Sequence, residues 1–228
     1  MIHSPLVPYA ECITMKYMSS PIIITIIFII WALLHSLLAD YRLKARVRSR
    51  WGDHVYRWYR LGYNVFAILS FVPVFLAYRF LPDRTLWVAP PPWNWLLRGV
   101  QLAGLLGLVA AVFETDVGEY AGLAQLRPGW SPDNKEPMRL SGLYCLVRHP
   151  IYFFSLPLIW LSPVVTVNGL TIALLFTLYF YFGARHEETS LRQEFGPVYD
   201  AYRQKVPMLL PTRRSRCHEL SAGRSFSS

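Results

Sequence analysis

Residues 22–39 read IIITIIFIIWALLHSLLA, and residues 40–60 directly after them read DYRLKARVRSRWGDHVYRWYR. The first stretch is apolar on nearly every face and long enough to cross a bilayer as one helix. The second carries Arg42, Lys44, Arg46, Arg48, Arg50, Arg57 and Arg60, with Trp51, Tyr56, Trp58 and Tyr59 set among them. Aromatic rings and cations beside an apolar run mark a membrane–water interface, and a cluster of Lys and Arg marks its cytoplasmic side. A cleaved signal peptide would place the positive charge before a shorter apolar core. Here the charge follows a longer one, so the pair of stretches predicts a retained membrane helix whose C-terminal end is cytoplasmic.

The same grammar continues along the chain. Residues 61–80 form a second apolar run containing Pro73, and a Pro- and Trp-rich link over 82–95 leads to a third at 96–113. Within the third, Gly99, Ala103, Gly107 and Ala111 recur every fourth residue, a ridge on which another helix can pack closely. Residues 114–149 are polar. Two shorter apolar runs, 151–162 and 169–182, are interrupted by Pro163 and Asn168-Gly169, and with residues 164–167 included they predict a tight helical hairpin. Beyond Gly183 the chain is polar, with a short amphipathic helix over 197–205. Residues 1–20 read as a poorly ordered lead-in, 21–211 as one membrane domain, and 212–228 as a disordered basic tail.

Only 16% of the residues are charged, against about 25% in a soluble domain. The net charge of +9 sits beside apolar runs instead of forming a basic stripe, which fits contact with membrane lipids and argues against nucleic acid as a partner. Cys12, Cys145 and Cys217 are too widely spaced to suggest a metal site, and free thiols are expected. The fold expectation is an all-α integral membrane protein of about five transmembrane helices, with a C-terminal helical hairpin and a cytoplasmic cofactor pocket. The Lys/Arg bias places the N-terminus outside and the C-terminus in the cytoplasm.

Chemistry-bearing residues concentrate in the C-terminal half. Gly142-Leu143-Tyr144 precedes Arg148-His149-Pro150 and Tyr152. Pro150 suits the first turn of a helix, so Arg148 and His149 stand beside free helix N–H groups, a place that can hold a carboxylate. Glu187-Glu188 closes the last apolar run. Two adjacent carboxylates at a membrane edge need cations, and the hairpin brings Arg148 and His149 to the same side. Phe195, Tyr199 and Tyr202 add aromatic faces.

The ordered set Arg148-His149-Pro150-x-Tyr152, Glu187-Glu188, Phe195-Gly196-x-x-Tyr199-x-x-Tyr202 and Val206-Pro207 resembles the superfamily of isoprenylcysteine carboxyl methyltransferases and phospholipid methyltransferases. Gly122-Leu123-x-Gln125, Trp160-x-Ser162-Pro163-x-x-Thr166, Val206-Pro207-Met208-x-x-Pro211 and the early His35-Ser36 are most similar to its methanethiol S-methyltransferase type. The resemblance implies a bacterial inner-membrane enzyme using S-adenosylmethionine (SAM). It implies that Tyr144, Arg148, His149, Pro150, Tyr152, Glu187, Glu188, Tyr199 and Tyr202 bind SAM, and that a small apolar or lipid-like acceptor enters from the bilayer. The residue types suit SAM: cations and helix N–H groups for its carboxylate, carboxylates for its ammonium or diol, and aromatic faces for its adenine and sulfonium.

Prenylcysteine enzymes of this superfamily carry an Arg four residues before the first Glu of the pair, where this chain has Gly183. The leading expectation is therefore S-methylation of a small thiol, with His149, then Glu188, as candidate proton acceptors. Prenylcysteine carboxyl methylation and lipid amine methylation are the alternatives. A non-enzymatic membrane subunit retaining the fold is another, against which the intact pairing of Arg148-His149 with Glu187-Glu188 argues.

Overall fold

A computed structural model of the chain describes residues 7–131, 138 and 141–212, with side chains from residue 19. Residues 1–6 of the expected lead-in and residues 213–228 of the expected tail lie outside that description. The elements are α1 (Val7–Ala39), α2 (Tyr41–Phe80), β1 (Thr85–Val88), α3 (Trp93–Glu114), α4 (Val117–Ala121), α5 (Pro150–Trp160), β2 (Val164–Thr166), α6 (Val167–Phe195) and α7 (Pro197–Lys205). Four helices among the described residues are long and apolar enough to cross a membrane: Ser19–Ala39 within α1, α2, α3 and α6. The protein is an all-α integral membrane protein. Helix α5, with 11 residues, is shorter than a usual span.

In lipid, burying apolar area does not drive helices together, because the tails are as apolar as the side chains. Close packing and polar contacts do the work instead. On α1, Ile24, Phe28 and Trp31 face the bundle, while Ile22, Ile26, Ile30, Leu33 and Leu37 point outward to where lipid belongs. Phe28, Trp31 and Val74 form an aromatic-rich core with Phe71, Phe176 and Tyr179, joining α1, α2 and α6. Helix α3 packs on α5 through glycine: a Cβ at Gly107 would run into the Phe154 ring, and one at Gly104 would meet Pro157 Cβ at 3.2 Å. Gln101 Nε2 donates to the Leu158 carbonyl across the same contact at 3.0 Å. The close-packing residues are thus Gly104 and Gly107, whereas Gly99 of the expected ridge faces open space.

Three further expectations change. Residues 41–60, read from the sequence as a basic interfacial stretch between two spans, are helical: Asp40 caps α2 by accepting from the N–H groups of Arg42 and Leu43, and the helix breaks at Gly52, where φ is +76°. Residues 164–166, expected within the turn of the hairpin, are a strand. Their β-branched run Val164-Val165-Thr166 pairs antiparallel with β1, Thr85 opposite Thr166 and Val88 opposite Val164. Cys145 is disulfide-bonded, not a free thiol; sequence separation says nothing about the spatial proximity that a disulfide requires.

The ribbon fixes the direction of the short helix. It ties the α2–α3 link to the α5–α6 link, reinforced by Val167 N–H donating to the Arg84 carbonyl at 3.0 Å and Ala89 N–H to Pro163 at 2.8 Å. The start of α5 lies instead beside the end of α3, where the Leu143 N–H donates to Glu114 Oε2 at 2.8 Å. Helix α5 and the residues after it therefore carry the chain from one end of the bundle, rich in charge, to the other, closed by the ribbon.

Candidate functional site

At the charged end, Pro150 occupies the first turn of α5 with His149 as its N-cap. Gly196 ends α6 with φ +54° and ψ −128°, a conformation suited to glycine, so α7 starts in a new direction. The chain then folds back: Arg148 N–H donates to the Pro207 carbonyl at 2.9 Å and His149 N–H to Met208 at 3.2 Å. The Val206-Pro207-Met208 segment is thus a backbone clamp on the Arg148-His149 pair.

The carboxylates and cations meet across the hairpin. Arg148 Nε donates to Glu188 Oε1 at 2.7 Å, and Nη2 lies 2.6 Å from the same oxygen. Arg148 Nη1 donates to the carbonyls of Arg203 and Val206, at 2.9 and 2.6 Å. Those carbonyls close the C-terminal end of α7, where cations are favoured. The Arg148 guanidinium is therefore committed to the protein itself: it holds Glu188 and docks α7. Arg203 Nε adds a second cation 3.5 Å from Glu188 Oε2.

His149 sits between the two acids, Nδ1 3.4 Å from Glu187 Oε2 and Nε2 3.5 Å from Glu188 Oε1. Its Nε2 makes no well-formed hydrogen bond. Burial pulls the imidazole pKa down, but hydrogen bonds and charges from Glu187 and Glu188 outweigh burial, and the net shift is upward. The two acids differ in access. Glu188 keeps 5% of its side chain exposed, Glu187 51%, so Glu187 is the one free to meet a ligand.

Tyr152 lines the same wall. Its ring stacks on His149 with centroids 5.5 Å apart and on Phe180 at 5.0 Å. Its hydroxyl donates to Glu187 Oε2 at 3.4 Å. Tyr199, Tyr202 and Val206 form a buried cluster packed against Cys145 and Phe195. Tyr202 donates to the Tyr144 carbonyl at 2.6 Å; Tyr144 thus enters through its backbone. The Tyr199 hydroxyl is buried beside Glu188 without a well-formed hydrogen bond. Burial is the main cause that raises the hydroxyl pKa of Tyr199, as it does for Tyr202. All nine residues singled out in the sequence converge on this end. Two that sequence reading missed are Arg203, the second cation on Glu188, and Glu114, whose carboxylate accepts the Leu143 N–H. Glu114 did carry a signal, as a lone acid closing an apolar span.

Several motif residues turn out to be structural. Thr166 caps α6 by accepting the Gly169 N–H at 3.0 Å. Trp160 Nε1 donates to Thr177 at 2.8 Å. Gly122, with φ +85°, lets α4 pass against the backbone of Arg60 and Leu61.

Fold and site together define a multi-pass helical membrane protein with an interlocked charge cluster at one end of a C-terminal hairpin. Residues 23–205 match the family described as NnrU protein, and the chain belongs to that family. It is similar to methanethiol S-methyltransferase 1 of Bradyrhizobium diazoefficiens, 33% identical over 85% of this chain and 68% of that protein. It is also similar to methanethiol S-methyltransferase 2 of the same organism, 32% identical over 67% of this chain and 59% of the relative. A methanethiol S-methyltransferase of a Pseudomonas species is 35% identical over 55% of this chain and 52% of its own length. No solved structure matches the chain.

Proposed function

We propose that this protein is a membrane methyltransferase that moves a methyl group from SAM to a small apolar thiol. The observation that carries the reading is the likeness to methanethiol S-methyltransferases across most of the chain. The charged end suits the cofactor. The accessible Glu187 and the Tyr152 face offer a carboxylate and an aromatic surface to a ligand with both polar and cationic groups. When bound, SAM supplies a methyl group on a cationic sulfur, and the bond that breaks leaves its electron pair on that sulfur.

The residues divide the labour. Glu187 meets the ammonium or ribose diol, and Tyr152 presents its face beside it. Arg148, expected from the sequence to hold the SAM carboxylate, instead fixes Glu188 and α7, so it positions the site. His149, held between two carboxylates that raise its pKa, faces the cofactor as a hydrogen-bond donor. The functional unit is residues 21–211. It crosses the bacterial inner membrane five times, N-terminus outside and charged end in the cytoplasm, because the basic residues 40–60 stay inside.

Gly183 favours a neutral acceptor. A Cβ there would come 3.9 Å from the Tyr152 hydroxyl, so this position faces the site without offering a cation. A buried carboxylate acceptor left without a cationic partner costs several kcal/mol, roughly. A neutral thiol loses nothing. The test uses purified protein, SAM labelled on its methyl group, and a panel of methanethiol, a farnesyl-cysteine analogue and a lipid amine, with products read by mass spectrometry. Label in dimethyl sulfide alone is expected. Transfer to the farnesyl analogue with none to the thiol overturns the thiol reading.

A further inference from the structure

A second polar cluster lies deeper in the bundle, away from the carboxylates. Tyr63 of α2 hydrogen-bonds His35 Nε2 at 2.8 Å, and Tyr179 of α6 hydrogen-bonds His35 Nδ1 at 2.6 Å. Tyr179 is two helical turns before Glu187, about 12 Å along the axis. The walls around the trio are aromatic. Trp31 packs on His35 with centroids 5.1 Å apart, and Phe28, Phe71 and Phe176 complete the core beneath it. Lys44 Nζ lies 6.0 Å from the Tyr63 ring centroid, and Arg60 of the same helix also acts on Tyr63.

Intramembrane ionisable side chains are expensive, and they mark function more often than packing. Three observations give this one a task. First, His35, Tyr63 and Tyr179 are each only half-buried, so a small molecule dissolved in the bilayer can reach them. Second, a wall of rings runs from the charged end to the cluster: His149 on Tyr152, Tyr152 on Phe180 at 5.0 Å, Phe180 beside Tyr179 at 6.5 Å, and Tyr179 against His35 at 5.9 Å. Third, both ring nitrogens of His35 have phenol partners. In the tautomer with its hydrogen on Nε2, His35 donates to Tyr63 and accepts from Tyr179 at Nδ1.

We infer that the His35–Tyr63–Tyr179 cluster is the acceptor end of the site, where the substrate thiol loses its proton; this rests on the thiol reading above. An alkyl thiol reacts as its thiolate, and apolar surroundings work against forming one. The thiol S–H bond breaks and its electron pair stays on sulfur. The proton goes to the Tyr179 oxygen as the Tyr179 proton moves to His35 Nδ1. The imidazolium, braced by Tyr63, returns its proton to water after product leaves. His149 is thereby spared for the cofactor.

The test varies the acidity of the acceptor. Wild type, His35→Gln and Tyr179→Phe are assayed on ethanethiol and on the more acidic trifluoroethanethiol, at alkaline pH where the latter is mostly thiolate. SAM affinity is measured by calorimetry on all three. Both variants should lose about 10²–10⁴-fold in kcat/KM on ethanethiol, far less on trifluoroethanethiol, and should bind SAM as wild type does. Tyr179→Phe keeps the ring and removes only the hydroxyl, so it guards against misfolding of the His35 variant. Equal losses on both thiols, or SAM affinity lost along with activity, make the cluster a packing feature and overturn the inference. A wild type that methylates neither thiol overturns the thiol reading itself and this inference with it.

Discussion

The two ends of the bundle are held together by different means. At the ribbon end, strands β1 and β2 and the bonds from Val167 and Ala89 are backbone to backbone, and Asn168 closes the joint by donating to the Pro82 carbonyl at 3.3 Å. At the charged end, side chains close the structure: Arg148 on Glu188, Arg203 behind it, His149 between the two acids. Backbone pairing needs no particular side chain and leaves little chemistry behind. A charge network needs specific residues, and here it gathers ionisable side chains at one end. The difference teaches where to look: the ribbon end sets geometry, and the charged end, with the wall of rings running inward from it, is the end with the chemistry proposed to handle a ligand.

Arg148→Ala should produce the largest effect, and it tests whether the charged end is structural as well as functional. Breaking a buried ion pair by removing one partner costs about 3–5 kcal/mol. A large fall in thermal midpoint of detergent-solubilised protein is expected. An unchanged midpoint would show that Arg203 and His149 suffice to hold Glu188. Glu187→Gln should leave that midpoint alone, because the side chain is half-exposed, yet weaken SAM binding about tenfold or more, from roughly 1.5–3 kcal/mol lost with a charge-assisted hydrogen bond. Wild-type affinity by calorimetry would mean that Glu187 does not meet the cofactor.

The ribbon end should respond in the opposite way. Asn168→Ala removes one buried hydrogen bond and should lower stability by about 1 kcal/mol, with SAM affinity unchanged; a matching loss of affinity would show that the two ends are coupled. The smallest expected effect is a pH slope. The folded His149 pKa is raised above its ordinary value of 6.5. Its contribution to stability is therefore complete below about 6.5 and declines as pH rises through the raised folded value. The thermal midpoint should fall across that window, and His149→Asn should flatten the fall. A variant with the same slope would assign it to another group.

Much of the site was legible in the sequence because its constraints are local. Pro150 announces a helix start, the adjacent acids Glu187-Glu188 demand cations, and a hairpin of known length says where those cations stand. What the acids and cations do for one another was not legible. From its position, Arg148 reads as a cofactor ligand. In the fold its nitrogens are taken by Glu188, Arg203 and Val206, because α7 turns back at Gly196 and lays its C-terminal carbonyls on the guanidinium. The strand at 164–166 was missed for a related reason. Three β-branched residues between apolar runs read as part of a hairpin turn until a partner strand about 80 residues away is in place.

The sequence by itself determined that this is a helical membrane protein, where its apolar runs begin and end, and which chemistry-bearing residue types gather in its C-terminal half. Those features follow from length, charge placement and residue type, which are written along the chain. The tertiary structure decided which faces point inward. Residues 22–39 are apolar nearly all round, and such a helix carries too little periodic signal to tell lipid from protein. That Ile24, Phe28 and Trp31 turn into the bundle, and that His35 meets Tyr63 and Tyr179, is settled only by packing between α1, α2 and α6. In a medium as apolar as the side chains themselves, shape and a few polar contacts choose the face.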